Sequence, residues 1–89
     1  MTAARTLVEE GLIACGSAVP CTSVYSWKDA IEESDEIILM MKTRTELVAR
    51  VIERAVELHS YEVPEAIAIG LDDGHLPYLE WIASVTVDR

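Results

Sequence analysis

An α+β fold, with helices packed on one face of an antiparallel sheet, is predicted by three features of this 89-residue chain. Two segments rich in strand formers, 22–27 and 31–42, follow one another across a short polar turn. Helical stripes flank them, at 2–14 and from Thr43 to about His59. A further alternating apolar run follows Pro64. The length suits one domain, residues 1–89, with a single modest core.

Each element has a local reason. Ala4, Leu7, Val8 and Leu12 recur at helical spacing, with Gly11 weakening the last turn and Gly16-Ser17 ending the helix. "TSVYSW" (22–27) places Val24 on one strand face and Tyr25 and Trp27 on the other. Lys28-Asp29-Ala30 is the expected turn, although it contains no glycine. "EIILMMK" (36–42) is apolar on both faces, as a strand covered on both sides would be. "TRTE" (43–46) fits a capping box, and Leu47, Val51, Ala55 and Leu58 line the helix that follows. In "EAIAIGL" (65–71), Ile67, Ile69 and Leu71 alternate with small residues and predict a last strand. "DDGH" makes a turn, and Pro77 near the start of "LPYLEWI" opens a short helix, which Val85–Val87 would prolong or follow as a terminal strand. The resulting order is the ferredoxin-like βαββαβ pattern without its first strand.

Composition excludes several classes. Seven basic against sixteen acidic residues give a net charge of −9, which repels phosphate backbones and argues against nucleic-acid binding. The apolar run Ile37–Met41 is too short to span a bilayer, and the first ten residues do not read as a secretory signal, so the cytoplasm is the expected location. Cys15 and Cys21 lack C-x-x-C spacing, and a structural disulfide is not expected. No nucleophile–base arrangement, phosphate-cradling loop or dense metal motif supports an enzyme, and no catalytic residue is assigned.

Five blocks carry a resemblance: "LVEEGLIAC" (7–15), "SVYSW" (23–27), "LMMKTR" (39–44), "HSYEVPE" (59–65) and "YLEWI" (78–82). In order and spacing the chain resembles the CutA divalent-cation-tolerance family. The resemblance implies a ferredoxin-like subunit in a homotrimer and a role in tolerance to copper and other divalent cations, without an established catalytic activity. The chain departs from the family pattern at Ser60, where proline is usual, and at Lys28-Asp29-Ala30, where a glycine-lysine turn is usual. The family's first strand and the start of its first helix also have no counterpart. Because that strand would be central, its neighbours would be left with unpaired backbone groups. Either the sequence starts late, or the last strand slides over to pair with 37–42, or a strand from elsewhere (Val85–Val87, or a partner chain) takes the place.

Candidate site residues have more than one reading each. His59 either ends the long helix, where a protonated imidazole suits the helix dipole, or ligates a metal, or serves as a general acid/base. Cys15 is either a buried thiol or a soft ligand for Cu(I), with His59 and Glu65 as harder ligands for Cu(II). His75, with Asp72 and Asp73, is a loop residue or an opportunistic metal site. The acidic stretch 32–36 reads as a solvated hairpin edge rather than a calcium loop. Tyr25, Trp27, Tyr61, Tyr78 and Trp81 suit core and subunit interface. The family resemblance implies that Trp27, Lys42, Tyr61 and Glu65 lie near an inter-subunit cleft. Such a cleft allows the alternative of a small-molecule-sensing trimer, with Lys42 holding an anionic ligand.

Overall fold

The computed structural model describes residues 2–59 and 63–87. Helix α1 (Thr2–Glu9) buries Ala4 and Leu7, and its carbonyls are capped around Gly11. The Gly11 N–H donates to the Val8 carbonyl at 3.0 Å and the Leu12 N–H to the Leu7 carbonyl at 3.0 Å. Gly11 has φ +73°, a left-handed conformation that glycine adopts without a Cβ clash. A Cβ there would also stand 2.5 Å from Val87 Cγ1. The helix therefore stops earlier than its apolar spacing suggests, and Leu12, Ile13 and Ala14 leave it to enter the core.

Strands β1 (Cys15–Trp27) and β2 (Ala30–Lys42) form a hairpin in unbroken antiparallel register from Cys15↔Lys42 to Trp27↔Ala30. The turn is Lys28-Asp29, both at positive φ (49° and 65°), as a two-residue hairpin turn of this twist requires. β1 begins seven residues before the segment expected from strand formers, running through Pro20. Its outer edge has no strand partner among the described residues, so a proline can lie there without breaking a ladder bond. Gly16 and its partner Met41 face the helices: a Cβ at Gly16 would lie 3.1 Å from Ala4 Cβ, and Met41 packs on the core. By alternation, Val19, Ile38 and Met40 face the opposite way and are 43%, 51% and 54% exposed.

After β2, the 3-10 turn Thr45–Leu47 leads into α2 (Val48–Leu58). The expected capping box does not form. The Thr43 hydroxyl donates instead to the Leu12 carbonyl at 2.6 Å, and Glu46 pairs with Arg44 at 3.4 Å. Leu12 is an acceptor left over where α1 ends, a long-range demand that outcompetes the local cap. Leu7, Leu12, Ile13, Leu47 and Val51 form the core, with Met41, Ala55, Leu58 and Val87 packed against it.

Helix α3 (Leu76–Ser84) opens with Pro77 in its first turn and buries Ile82. Residues 85–87 neither prolong it nor form a strand. The Val87 N–H donates to the Gly11 carbonyl at 2.8 Å, while Arg44 Nε donates to Thr86 Oγ1 at 2.8 Å and its Nη2 to the Val87 carbonyl. The expected strand at 65–71 is likewise absent: segment 63–71 has no ladder partner among the described residues. The sheet of the described residues has two strands, within an α+β arrangement.

A forked ion pair ties the end of α1 to α2. Arg54 donates to both Glu10 carboxylate oxygens, with Nη2–Oε2 at 2.9 Å and Nε–Oε1 at 3.0 Å. Hydrogen bonding from Arg54 holds the Glu10 carboxyl below its ordinary range, against desolvation and with help from the charges of Arg54 and Arg50. A lowered folded-state pKa means that the pair stabilises above the ordinary carboxylate range and fades as pH falls through the folded value. Thermal melts of the wild type and Glu10→Gln should therefore differ at neutral pH and converge in acid. A gap that widens in acid would contradict this assignment.

Candidate functional site

The root of the hairpin carries the clearest polar cluster. Cys15 opens β1, half-buried, with its Sγ 3.7 Å from the Tyr78 hydroxyl on α3. The Tyr78 ring tilts against Trp81, with centroids 5.5 Å apart. The Cys15 contact raises the Tyr78 pKa, with desolvation acting in the same direction. Lys42 is the ladder partner of Cys15, and directly opposed residues share a sheet face. A thiol and a phenol therefore meet where α3 touches the hairpin, with Lys42 opposite Cys15 in the ladder. The thiol and the phenol together offer hydrogen-bond donors to a polar ligand. Neither the Cys15–Tyr78 contact nor its location could be read locally, since the partners are far apart in sequence.

The other sequence-predicted residues are dispersed. Trp27 sits beside the hairpin tip, with Lys28 Nζ 5.6 Å from its ring centroid. It pairs with Ala30, and Lys42 lies twelve residues further along β2. At about 3.4 Å per residue, some 40 Å separates these ends of the strand. His59 caps α2 through its N–H, which donates to the Val56 carbonyl at 3.2 Å, and it is exposed. Glu65 is exposed on segment 63–71, and Tyr61 falls outside the described residues. The His75 carbonyl accepts from the N–H groups of Tyr78 and Leu79 at the start of α3, and Asp73 accepts from the Gly74 N–H at 2.8 Å. In the acidic stretch, Asp35 accepts from Thr22 at 3.1 Å and Glu36 from Ser34 at 3.2 Å. Among the described residues, no group of three or more His, Cys, Asp or Glu side chains could hold a metal ion, so Cys15, His59 and Glu65 do not form a shared site within the chain.

Sequence reasoning missed Arg50. Its Nη1 is buried without a hydrogen-bond partner among the described residues, beside a shallow depression of about 370 Å³ that Glu9, Glu10 and Val87 also line. The two carboxylates there offset the guanidinium charge. No described helix is long and apolar enough to cross a membrane.

Comparison with known proteins places these features in context. The model of the CutA1 divalent ion tolerance protein family matches residues 1–85. The human protein named Protein CutA is 43% identical over 84 residues, covering 93% of this chain but 47% of the human protein. The chain thus spans about half the length of the vertebrate relative. The crystal structure of CutA1 from Pyrococcus horikoshii superposes with a TM-score of 0.94 at 37% identity, over 98% of this chain and 85% of that one. A PII-like protein CutA from Nostoc sp. PCC 7120, in apo form, gives a TM-score of 0.90 at 38% identity, over 94% of this chain and 83% of the other. On the family match and this shared fold, the chain belongs to the CutA1 divalent ion tolerance family.

Proposed function

We propose that this chain is a non-enzymatic, cytoplasmic subunit of a homotrimer with a ferredoxin-like fold, and that it contributes to divalent-cation tolerance by binding copper or a similar cation weakly. The observation that carries the assembly is an apolar patch on the hairpin face turned away from α1, where Val19, Ile38 and Met40 lie exposed. Apolar surface of that kind on a soluble chain suits a protein partner. Metal binding is then a property of the assembly: Cys15, His59 and Glu65 do not meet in one subunit, so ligands from different subunits must combine. A thiolate favours Cu(I), while imidazole and carboxylate favour Cu(II). Copper titration followed by tryptophan fluorescence tests this reading. Saturable quenching that Cys15→Ser or His59→Ala weakens at least tenfold supports it; affinity unchanged in both variants rules the proposed ligands out.

A second reading is favoured by Lys42, the ladder partner of Cys15, and by the PII-like description of the Nostoc relative. Here the trimer senses an anionic small molecule in an inter-subunit cleft lined by Trp27, Lys42, Tyr61 and Glu65. Trp27 and Lys42 lie too far apart to share a cleft within one subunit, which is the arrangement an inter-subunit cleft requires.

A further inference from the structure

We infer that the depression between the end of α1, α2 and Val87 binds a small zwitterion, an aliphatic amino acid, held between the Arg50 guanidinium and the Glu9 carboxylate. Arg50 lies on α2, and its Nη1 is buried without a hydrogen-bond partner among the described residues. An unpaired charged donor is costly to bury, and folded proteins keep few of them. The carboxylates that could answer it are engaged elsewhere. Glu46, at the i,i+4 spacing that favours an ion pair, is bound to Arg44 at 3.4 Å. Glu10 is near enough for the Arg50 charge to lower its pKa, yet both of its oxygens accept from Arg54.

The lining selects the ligand. The depression holds about 370 Å³, near the lower end of the roughly 300–1,000 Å³ of small-molecule sites, so its occupant is small. Its backbone donors are already used: the Gly11, Leu12 and Val87 N–H groups donate to the Val8, Leu7 and Gly11 carbonyls. Arg50 is therefore the donor left for a ligand. Glu9 is the acceptor left, exposed at the end of α1 and in no ion pair among the described residues. A bare anion would have to enter beside two carboxylates on a chain of net charge −9, and a bare cation would meet the guanidinium. A zwitterion escapes both penalties, with its carboxylate toward the Arg50 fork and its ammonium toward Glu9. The apolar lining, Leu12 and Val87, suits a short aliphatic side chain. Every group involved belongs to one chain, so the inference stands apart from the proposed trimer and its cleft.

The test titrates the intact 89-residue protein with L-valine, with 3-methylbutanoate, which lacks the ammonium, and with isobutylamine, which lacks the carboxylate. Calorimetry measures affinity, and amide chemical shifts locate the ligand. The expected result is saturable binding of one valine per chain, with shifts centred on residues 9–12 and 87. Each analogue should bind at least about tenfold more weakly, since each leaves one charge of the site unanswered. Arg50→Met and Glu9→Gln should each cause a similar loss for valine. Without ligand, Arg50→Met should melt no lower than the wild type, because it removes a buried charge that has no partner. Glu9 is exposed, so its variant keeps the test independent of folding. No saturable binding of valine overturns the proposal, as does valine affinity unchanged in both variants. Binding of 3-methylbutanoate as tight as that of valine also overturns it, by reducing the site to one for simple anions.

Discussion

Replacing Leu47 with alanine is expected to lower the free energy of unfolding by about 2–5 kcal/mol, a large share of the roughly 5–15 kcal/mol typical of a natural domain. Leu47 is only 1% exposed and stands at the point where β2 hands over to α2. It packs in one cluster with Leu7, Leu12, Ile13 and Val51, so its removal leaves a cavity bordered by three separate parts of the chain. The chain is short and has few fully buried large side chains, and its interior has little capacity to collapse around a void. Leu47→Met keeps the volume and should cost less than about 1.5 kcal/mol. Urea unfolding at fixed protein concentration separates the two variants. A loss below 1 kcal/mol for the alanine variant would show that the cluster is not the stabilising centre.

Ile38→Glu is expected to break the proposed trimer while leaving the core of the chain intact. Ile38 pairs with Val19 on the hairpin face turned away from α1, and Met40 lies two residues along the same face. Burying side chains of this size contributes about 1.5–3 kcal/mol each, repeated at every symmetric contact of a trimer. A carboxylate at the same position must be dehydrated on association without a partner, at a cost of several kcal/mol per contact. Light scattering should show the mass falling from that of three chains to that of one. Far-ultraviolet circular dichroism should be preserved, because the substituted position is already half exposed in the subunit. A wild type that scatters as a monomer at working concentrations would defeat the trimer itself. An unchanged mass in the variant would move the contact to another surface.

How much of this was legible in the sequence depended on the range of the forces involved. The hairpin and α2 could be read because alternation and helical spacing are set by neighbours a few residues away. Spacing alone places the end of α1 too late, because Leu12 and Ile13 keep the apolar rhythm while Gly11 has already turned the chain. Thr43 has the local signature of a cap, but the Leu12 carbonyl, distant in sequence, captures its hydroxyl. Segment 63–71 shows the opposite failure. Its alternation is that of a strand, yet a strand exists only through a neighbour, and no pattern within the segment can supply one. The proposed ligands scattered for a similar reason: chemistry at Cys15, His59 and Glu65 could be named, but their separation depends on where the long hairpin and the two helices put them.

The tight Lys28-Asp29 turn sets the phase of everything beyond it. Pairing runs without a bulge from Trp27↔Ala30 to Cys15↔Lys42, so nothing between the tip and the root can absorb an error. If a deletion at the tip shifted β2 by one residue, the two faces would exchange roles along its whole length. Met41 would leave the core, Ile38 and Met40 would turn toward the helices, and Lys42 would no longer oppose Cys15. Two exposed residues at the far end of the molecule thus act as a gauge, determining which side of the sheet is interior and which is offered to a neighbour.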